Sequence, residues 1–206
     1  MVFRNAGQVS ITAGEFINRP FGIYAQTDTT QIDAVFLNDG LVFNDGRIAV
    51  GASGLYEHQN ENAFPGPGPN PGGLTSNTGI FANAGTTNIA TGVFTNQASV
   101  ANSGTFTVGT TGTYSQTSTS AGVTSATVNT GTFVSAGQVR IGEGTKFSNG
   151  TFINPGTTTI NAGVFENNGD FRNNAGQVRI GEGALFSNTG NTLLCMDTVS
   201  GLYLQE

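Results

Sequence analysis

The chain has 206 residues, only 10% of them charged, a formal net charge of -6 and 31 glycines. Its single lysine, Lys146, leaves no basic footprint for a phosphate backbone, which excludes nucleic acid as an expected partner. A lone histidine, His58, speaks against a His-built zinc site or a Ser-His-Asp triad, and a lone cysteine, Cys195, excludes an internal disulfide framework.

No run of about eighteen apolar residues is present, so no membrane-spanning helix is expected. The first residues have no apolar signal-peptide core and already follow the repeat described below. Glycine, asparagine, threonine and serine dominate, but Phe, Val and Ile recur at fixed intervals, which is not the pattern of a disordered chain.

In chain order, residues 1–19 carry G-x-F-x-N-x-G-x-x-x-I-x-x-G-x-F-x-N-x through Phe3, Asn5, Gly7, Ile11, Gly14, Phe16 and Asn18. Residues 20–39 fit only at Phe36 and Asn38, and residues 40–57 place Val42, Asn44, Gly46, Val50 and Tyr56 in matching slots. Residues 57–76 alternate Pro65, Pro67, Pro69 and Pro71 with Gly and Asn, which predicts an exposed loop or linker, because proline cannot donate to a ladder. His58, beside it, is expected to be a solvated loop residue.

The full motif returns over 79–97 (Phe81, Asn83, Gly85, Ile89, Gly92, Phe94, Asn96) and 150–168 (Phe152, Asn154, Gly156, Ile160, Gly163, Phe165, Asn167). Residues 98–116, 131–149 and 169–188 follow it with small slips, and 117–130, rich in Ser and Thr, fits least. Residues 191–206 depart from it and predict a C-terminal cap or the start of a next segment.

Apolar residues two apart, such as Val9 and Ile11, give strand spacing, with Gly and Asn where the chain must turn. Nineteen residues at about 3.3 Å each suffice for three short sides, and stacked coils rise by about 4.8 Å. The reading is an all-β fold, a parallel β-helix (β-solenoid) with about 19-residue coils. It has coils over 1–56 and 77–190 and extends about 45 Å over about nine coils.

In-register stacking predicts two continuous aromatic columns, Phe3-type and Phe16-type, with Ile11-type residues closing the third side. The predicted stack comprises Phe3, Phe16, Phe81, Phe94, Phe133 and Phe147, together with Phe152, Phe165, Phe171 and Phe186. Asn columns are expected to pair from coil to coil as amide ladders, or to serve as turn formers.

Runs such as Gly150-Thr151-Phe152-Ile153-Asn154-Pro155-Gly156, and Gly163 to Phe171, resemble the degenerate repeats of bacterial surface adhesins of the filamentous-haemagglutinin and autotransporter-passenger type. The resemblance covers about three quarters of the chain and implies a right-handed parallel β-helix acting as an exported scaffold.

Candidate sites are few. Arg140-Ile141-Gly142-Glu143-Gly144 recurs as Arg179-Ile180-Gly181-Glu182-Gly183, so Arg140, Glu143, Arg179 and Glu182 are possible surface ligand contacts. The period puts the two sets two coil rises, roughly 10 Å, apart on one face. A solvated charge pair is the competing reading.

Asp28, Asp33, Asp39 and Asp45 concentrate carboxylates, but Asn38-Asp39-Gly40 and Asn44-Asp45-Gly46 are turn tripeptides, so no metal site is expected. Thr157-Thr158-Thr159, Thr86-Thr87 and Thr110-Thr111 raise an ice-binding reading. The matching slots hold Gln8, Gln138 and Gln177, which breaks a threonine array in the aligned repeats. Cys195, in an apolar setting, reads as a small buried hydrophobe.

The expected function is a structural rod segment of a secreted or cell-surface adhesin-like protein, non-enzymatic and without cofactor. Its expected partners are host or neighbouring-cell carbohydrate or protein, or further copies through uncapped coil ends. A carbohydrate-active β-helix (polysaccharide lyase or phage tail-spike depolymerase) and an ice-binding protein are the alternatives.

Overall fold

The computed structural model describes residues 2–18, 23–38, 41–44, 46–51, 53–58, 73–117, 125–142, 145–161, 163–173, 177–189, 192–193, 198–199 and 202–205. Among these there is no helix. The 24 strands all pair in parallel with strands of adjacent coils, forming a β-solenoid of about 8 turns spaced about 20 residues apart.

Each coil has three sides. Face 1 begins with Val2–Asn5, Ile23–Gln26, Leu41–Asn44 and Leu74–Asn77 and later includes Gln138–Ile141, Thr157–Ile160 and Gln177–Ile180. Face 2 runs from Val9–Ile11 through Thr29–Ile32, Arg47–Val50, Ile80–Asn83 and Ser99–Asn102 to Leu185–Asn188. Face 3 starts with Glu15–Asn18, Val35–Asn38 and Leu55–His58.

Long strands such as Thr86–Asn96 and Ser125–Ser135 turn a corner and serve two faces. Residues 23–38, which match the motif only at their end, nonetheless make a complete coil. At the C-terminal end the strands Thr192–Leu193, Thr198–Val199 and Leu202–Gln205 extend all three faces of the same ladder.

Alternation points every second residue inward. Side lengths explain the period: Phe81 to Thr87 is six residues, Thr87 to Phe94 seven and Phe94 to Val100 six. The seven-residue side follows the Ile slot. There Ile-x-x-Gly turns with a left-handed glycine, as at Gly14, Gly92 and Gly183 (φ 75°, 83° and 75°), a conformation that only glycine adopts without strain. At the Asn-x-Gly corners the limit is space instead, since a Cβ on Gly104 would lie 2.1 Å from the carbonyl oxygen of Gly85 in the coil below.

The three full copies of the motif are rotated relative to one another, and this corrects the expected two-column stack. Phe3 belongs to face 1, Phe81 to face 2 and Phe152 to face 3. The corresponding Ile11, Ile89 and Ile160 lie on faces 2, 3 and 1. The motif's phase migrates around the prism, so each inward file mixes slots: the face 3 file reads Phe16, Phe36, Tyr56, Thr87, Phe106, Phe133, Phe152 and Phe171.

Six of the cross-sections are filled alike, while Val42/Ile48/Tyr56 and Thr75/Phe81/Thr87 hold a single Phe or Tyr ring. The coils holding Phe3/Val9/Phe16, Tyr24/Thr30/Phe36, Phe94/Val100/Phe106, Tyr114/Thr127/Phe133, Val139/Phe147/Phe152 and Thr158/Phe165/Phe171 each combine two rings with one small residue. Rings on one face stack nearly parallel: Phe133 on Phe152 and Phe152 on Phe171 are each at 5.2 Å and 4°. Rings on adjoining faces meet edge to face, as Phe152 and Phe165 do at 85°. Such pairs add about 0.5 to 1.5 kcal/mol each beyond burial.

A prism whose width is set by two rings and one small residue has no room for a third ring. Val100→Phe is therefore expected to destabilise by about 1 to 3 kcal/mol through overpacking, read as a lower urea midpoint.

Candidate functional site

Polar chemistry divides into a buried set and an exposed set. Buried asparagines form the first. Along face 2, Asn83 Nδ2 donates to Asn102 Oδ1 at 2.7 Å, and the pattern continues through Asn129, Asn149, Asn167 and Asn188 at 2.6, 2.9, 2.6 and 2.6 Å. On face 1 Gln26, Asn44, Asn77 and Asn96 form a second ladder, and Asn18–Asn38 and Asn154–Asn173 form short ones on face 3.

All donate in the same sense along the rod. The second amide hydrogen goes to a backbone carbonyl of the next coil, as from Asn83 to Thr105, Asn102 to Thr132 and Asn129 to Thr151 at 2.9, 3.1 and 2.9 Å. The amide ladder and the turn-forming role therefore coincide at the same side chains. The face 2 ladder starts at Asn83 because its neighbour in the coil below is Val50, which leaves Asn83 Oδ1 without a donor.

A second buried device accompanies tyrosine. Tyr24, Tyr56 and Tyr114 replace phenylalanine at fully buried slots, and in each case the residue two positions on is Gln26, His58 or Gln116 rather than asparagine. Tyr114 Oη donates to Thr127 Oγ1, which donates to Gln116 Oε1 at 2.7 Å. Tyr24, Thr30 and Gln26 repeat the arrangement. In the third copy Tyr56 Oη and His58 Nε2 meet Thr75 Oγ1 at 2.6 and 2.7 Å. Burial pushes all three phenols above their ordinary range, so none is a nucleophile or base at neutral pH.

His58 is thus a correction: it ends the strand Leu55–His58, fully buried, with its ring 5.6 Å from Tyr56 and 6.3 Å from Phe94. It adds a ring where Val42, Ile48 and Tyr56 supply only one aromatic. The expected 57–76 loop likewise loses its ends, since Glu57, His58 and Leu74 to Ser76 lie in strands. Residues 59–72, with the prolines, lie outside the described residues.

On the exterior, Arg140 and Arg179 occupy one outward file of face 1 with Thr159 between them. Each guanidinium donates to the glutamine two residues earlier, Arg140 to Gln138 at 2.7 Å and Arg179 to Gln177 at 2.9 Å. Glu182 is exposed in the turn after the strand and outside the file, and Glu143 lies outside the described residues.

Asp28 and Asp33 are separated by the strand Thr29–Ile32, and Asp33 accepts from Gln31 at 2.9 Å. Asp39, Asp45 and Cys195 lie outside the described residues. Among the described residues no group of three His, Cys, Asp or Glu side chains is placed to hold a metal. Face 2 has an open trough of about 410 Å³ floored by Ala49, Ala82 and Ala101 and edged by Gln31, Arg47 and Val128.

Two features escaped sequence reasoning, the Tyr-x-Gln/His pairing and a file of threonines on face 3. The first had a visible signal, since every tyrosine in the chain has Gln or His two residues on. Compared with known proteins, the chain matches no family model, no curated protein and no solved structure.

Two outcomes follow from the buried set. Replacing Asn129 with leucine strands the Asn102 amide, Asn149 Oδ1 and the Thr151 carbonyl. The expected loss is about 3 kcal/mol in urea unfolding, well beyond the loss from removing an exposed asparagine.

Burial lowers His58 from 6.5 to about 3, against weaker opposition from the backbone at Thr91 and Gly73. Within that window the unfolded chain holds a proton that the folded chain does not. Stability is therefore complete above pH 6.5 and falls on acidification, by up to about 1.4 kcal/mol per pH unit from this group. Thermal melts across the window are expected to show that slope in the parent and a flatter one in His58→Gln, which restores the residue type found at Gln26 and Gln116.

Proposed function

We propose that this chain is a rod segment of a secreted or cell-surface adhesin-like protein, holding a binding surface away from its anchor and catalysing no reaction. The observation that supports this reading is the unbroken parallel ladder, which converts a low-complexity sequence into a stiff prism whose interior is sealed by stacked rings and paired amides. All ligand contacts then fall to the outward files, where a change of side chain leaves the core untouched. Phe3, an inward ring that is 42% exposed, offers the first coil to a second copy.

Arg140 and Arg179 are the contacts we assign on face 1. Held by Gln138 and Gln177 and about 10 Å apart, they suit two acidic or hydroxyl groups along an extended polysaccharide or a peptide. Binding to a glycan array and to cell-surface protein, with no chain cleavage, is the expected result. The double variant Arg140→Ala/Arg179→Ala is expected to weaken binding roughly tenfold or more without altering the melting temperature. Turnover of any polysaccharide would favour the lyase or depolymerase reading instead.

A further inference from the structure

Because the motif's phase migrates, residues from unrelated repeat slots meet in one outward file. On face 3 that file is Thr86, Thr105, Thr132 and Thr151, each paired in register with the next over four successive coils. The aligned repeats place these residues apart, so the expectation of a broken threonine array does not hold on this face. We infer that this strip is an ice-binding site, the threonine file docking on the ordered water of an ice crystal surface.

Four properties carry the inference. First, spacing: strands paired in a sheet lie about 4.8 Å apart, close to the repeat of oxygen rows on hexagonal ice, and the neighbouring outward file lies about 6.6 Å away along the strand. Second, flatness: the residue after each of Thr105, Thr132 and Thr151 is an inward phenylalanine. Those rings, Phe106, Phe133 and Phe152, stack with interplanar angles of 5° and 4°, so successive coils are translated with almost no twist behind the file.

Third, rigidity: threonine has few side-chain rotamers. The carbonyls of Thr105, Thr132 and Thr151 are each held by a buried asparagine of the face 2 ladder. Their amides are fixed too, as Thr105 N donates to Gly85 O and Thr132 N to Gly104 O, both at 2.9 Å. No protein group among the described residues engages the four hydroxyls, which leaves them to solvent.

Fourth, charge: the neighbouring file over the same coils is Asn88, Thr107, Val134 and Ile153, so the strip is neutral and rich in methyl groups. Charge resumes only beyond it, at Glu57 in the coil before and at Asp170 and Arg172 in the coil after. A neutral lattice of water complements such a strip. A charged polymer gains nothing there, and neither file of the strip carries a ring on which a sugar could stack.

The inference goes beyond the rod reading and is tested separately from it. The purified chain is expected to open a gap between melting and freezing points around a single ice crystal in nanolitre osmometry, and to inhibit recrystallisation in a frozen film. Thr105→Lys, at an exposed position in the middle of the file, is expected to remove both effects while leaving the circular dichroism and melting temperature unchanged. Thr132→Lys is read in the same way should the first variant fold poorly, and Thr159→Lys on face 1 is expected to leave both effects intact. A parent chain without either effect overturns the proposal, as does activity that survives both face 3 lysines or is lost in Thr159→Lys.

Discussion

Backbone pairing between successive coils is the constraint from which the remaining structure follows. Parallel strands lie about 4.8 Å apart, and that spacing alone decides what can be built inside the prism. Flat rings fit it when stacked, as at 5.1 Å for Phe147 on Phe165 and for Phe165 on Phe186. Primary amides fit it as well, because an amide has a donor on one side and an acceptor on the other and can bridge one coil to the next in a single sense. The composition, rich in Phe and Asn among buried positions, is the composition that this spacing accepts.

The fixed cross-section imposes a second condition, one of compensation. A ring gained on one face is balanced in most coils by Val or Thr on another, and a hydroxyl brought into the core by tyrosine is balanced by a buried threonine that hydrogen-bonds both to it and to a glutamine or histidine. These substitutions travel as sets because an unpartnered hydroxyl in a dry interior costs about 1 to 3 kcal/mol. Their burial makes them structural. Chemistry with other molecules is confined to the outward files, whose side chains are free to vary, and this division is why such a fold gives little indication of its ligand.

Much of the architecture was legible from residue spacing. Apolar residues two apart, Asn-x-Gly and Ile-x-x-Gly corners and a period of nineteen lead to a parallel β-solenoid, since each is a local property of the chain. The coil at residues 23–38 was obscured because Tyr24, Thr30 and Gln26 replace the usual Phe, Val and Asn together. Read one position at a time, each substitution looks like a departure; read as a triad, they preserve the core. His58 was misjudged for a related reason, since a histidine beside a proline-rich stretch has no local sign that it stands in for glutamine.

The candidate surfaces show where local reading ends. Arg140 and Arg179 were identifiable because the pentapeptides that hold them repeat at a spacing of two coils. The face 3 threonines were not, because their neighbours along the rod come from different slots of the motif. The sequence by itself determined strand, corner and period, which depend on a residue and its near neighbours. Only the tertiary structure decided which residues share a file, because the lengths of the sides change from coil to coil and the register of each coil is set by the one beneath it.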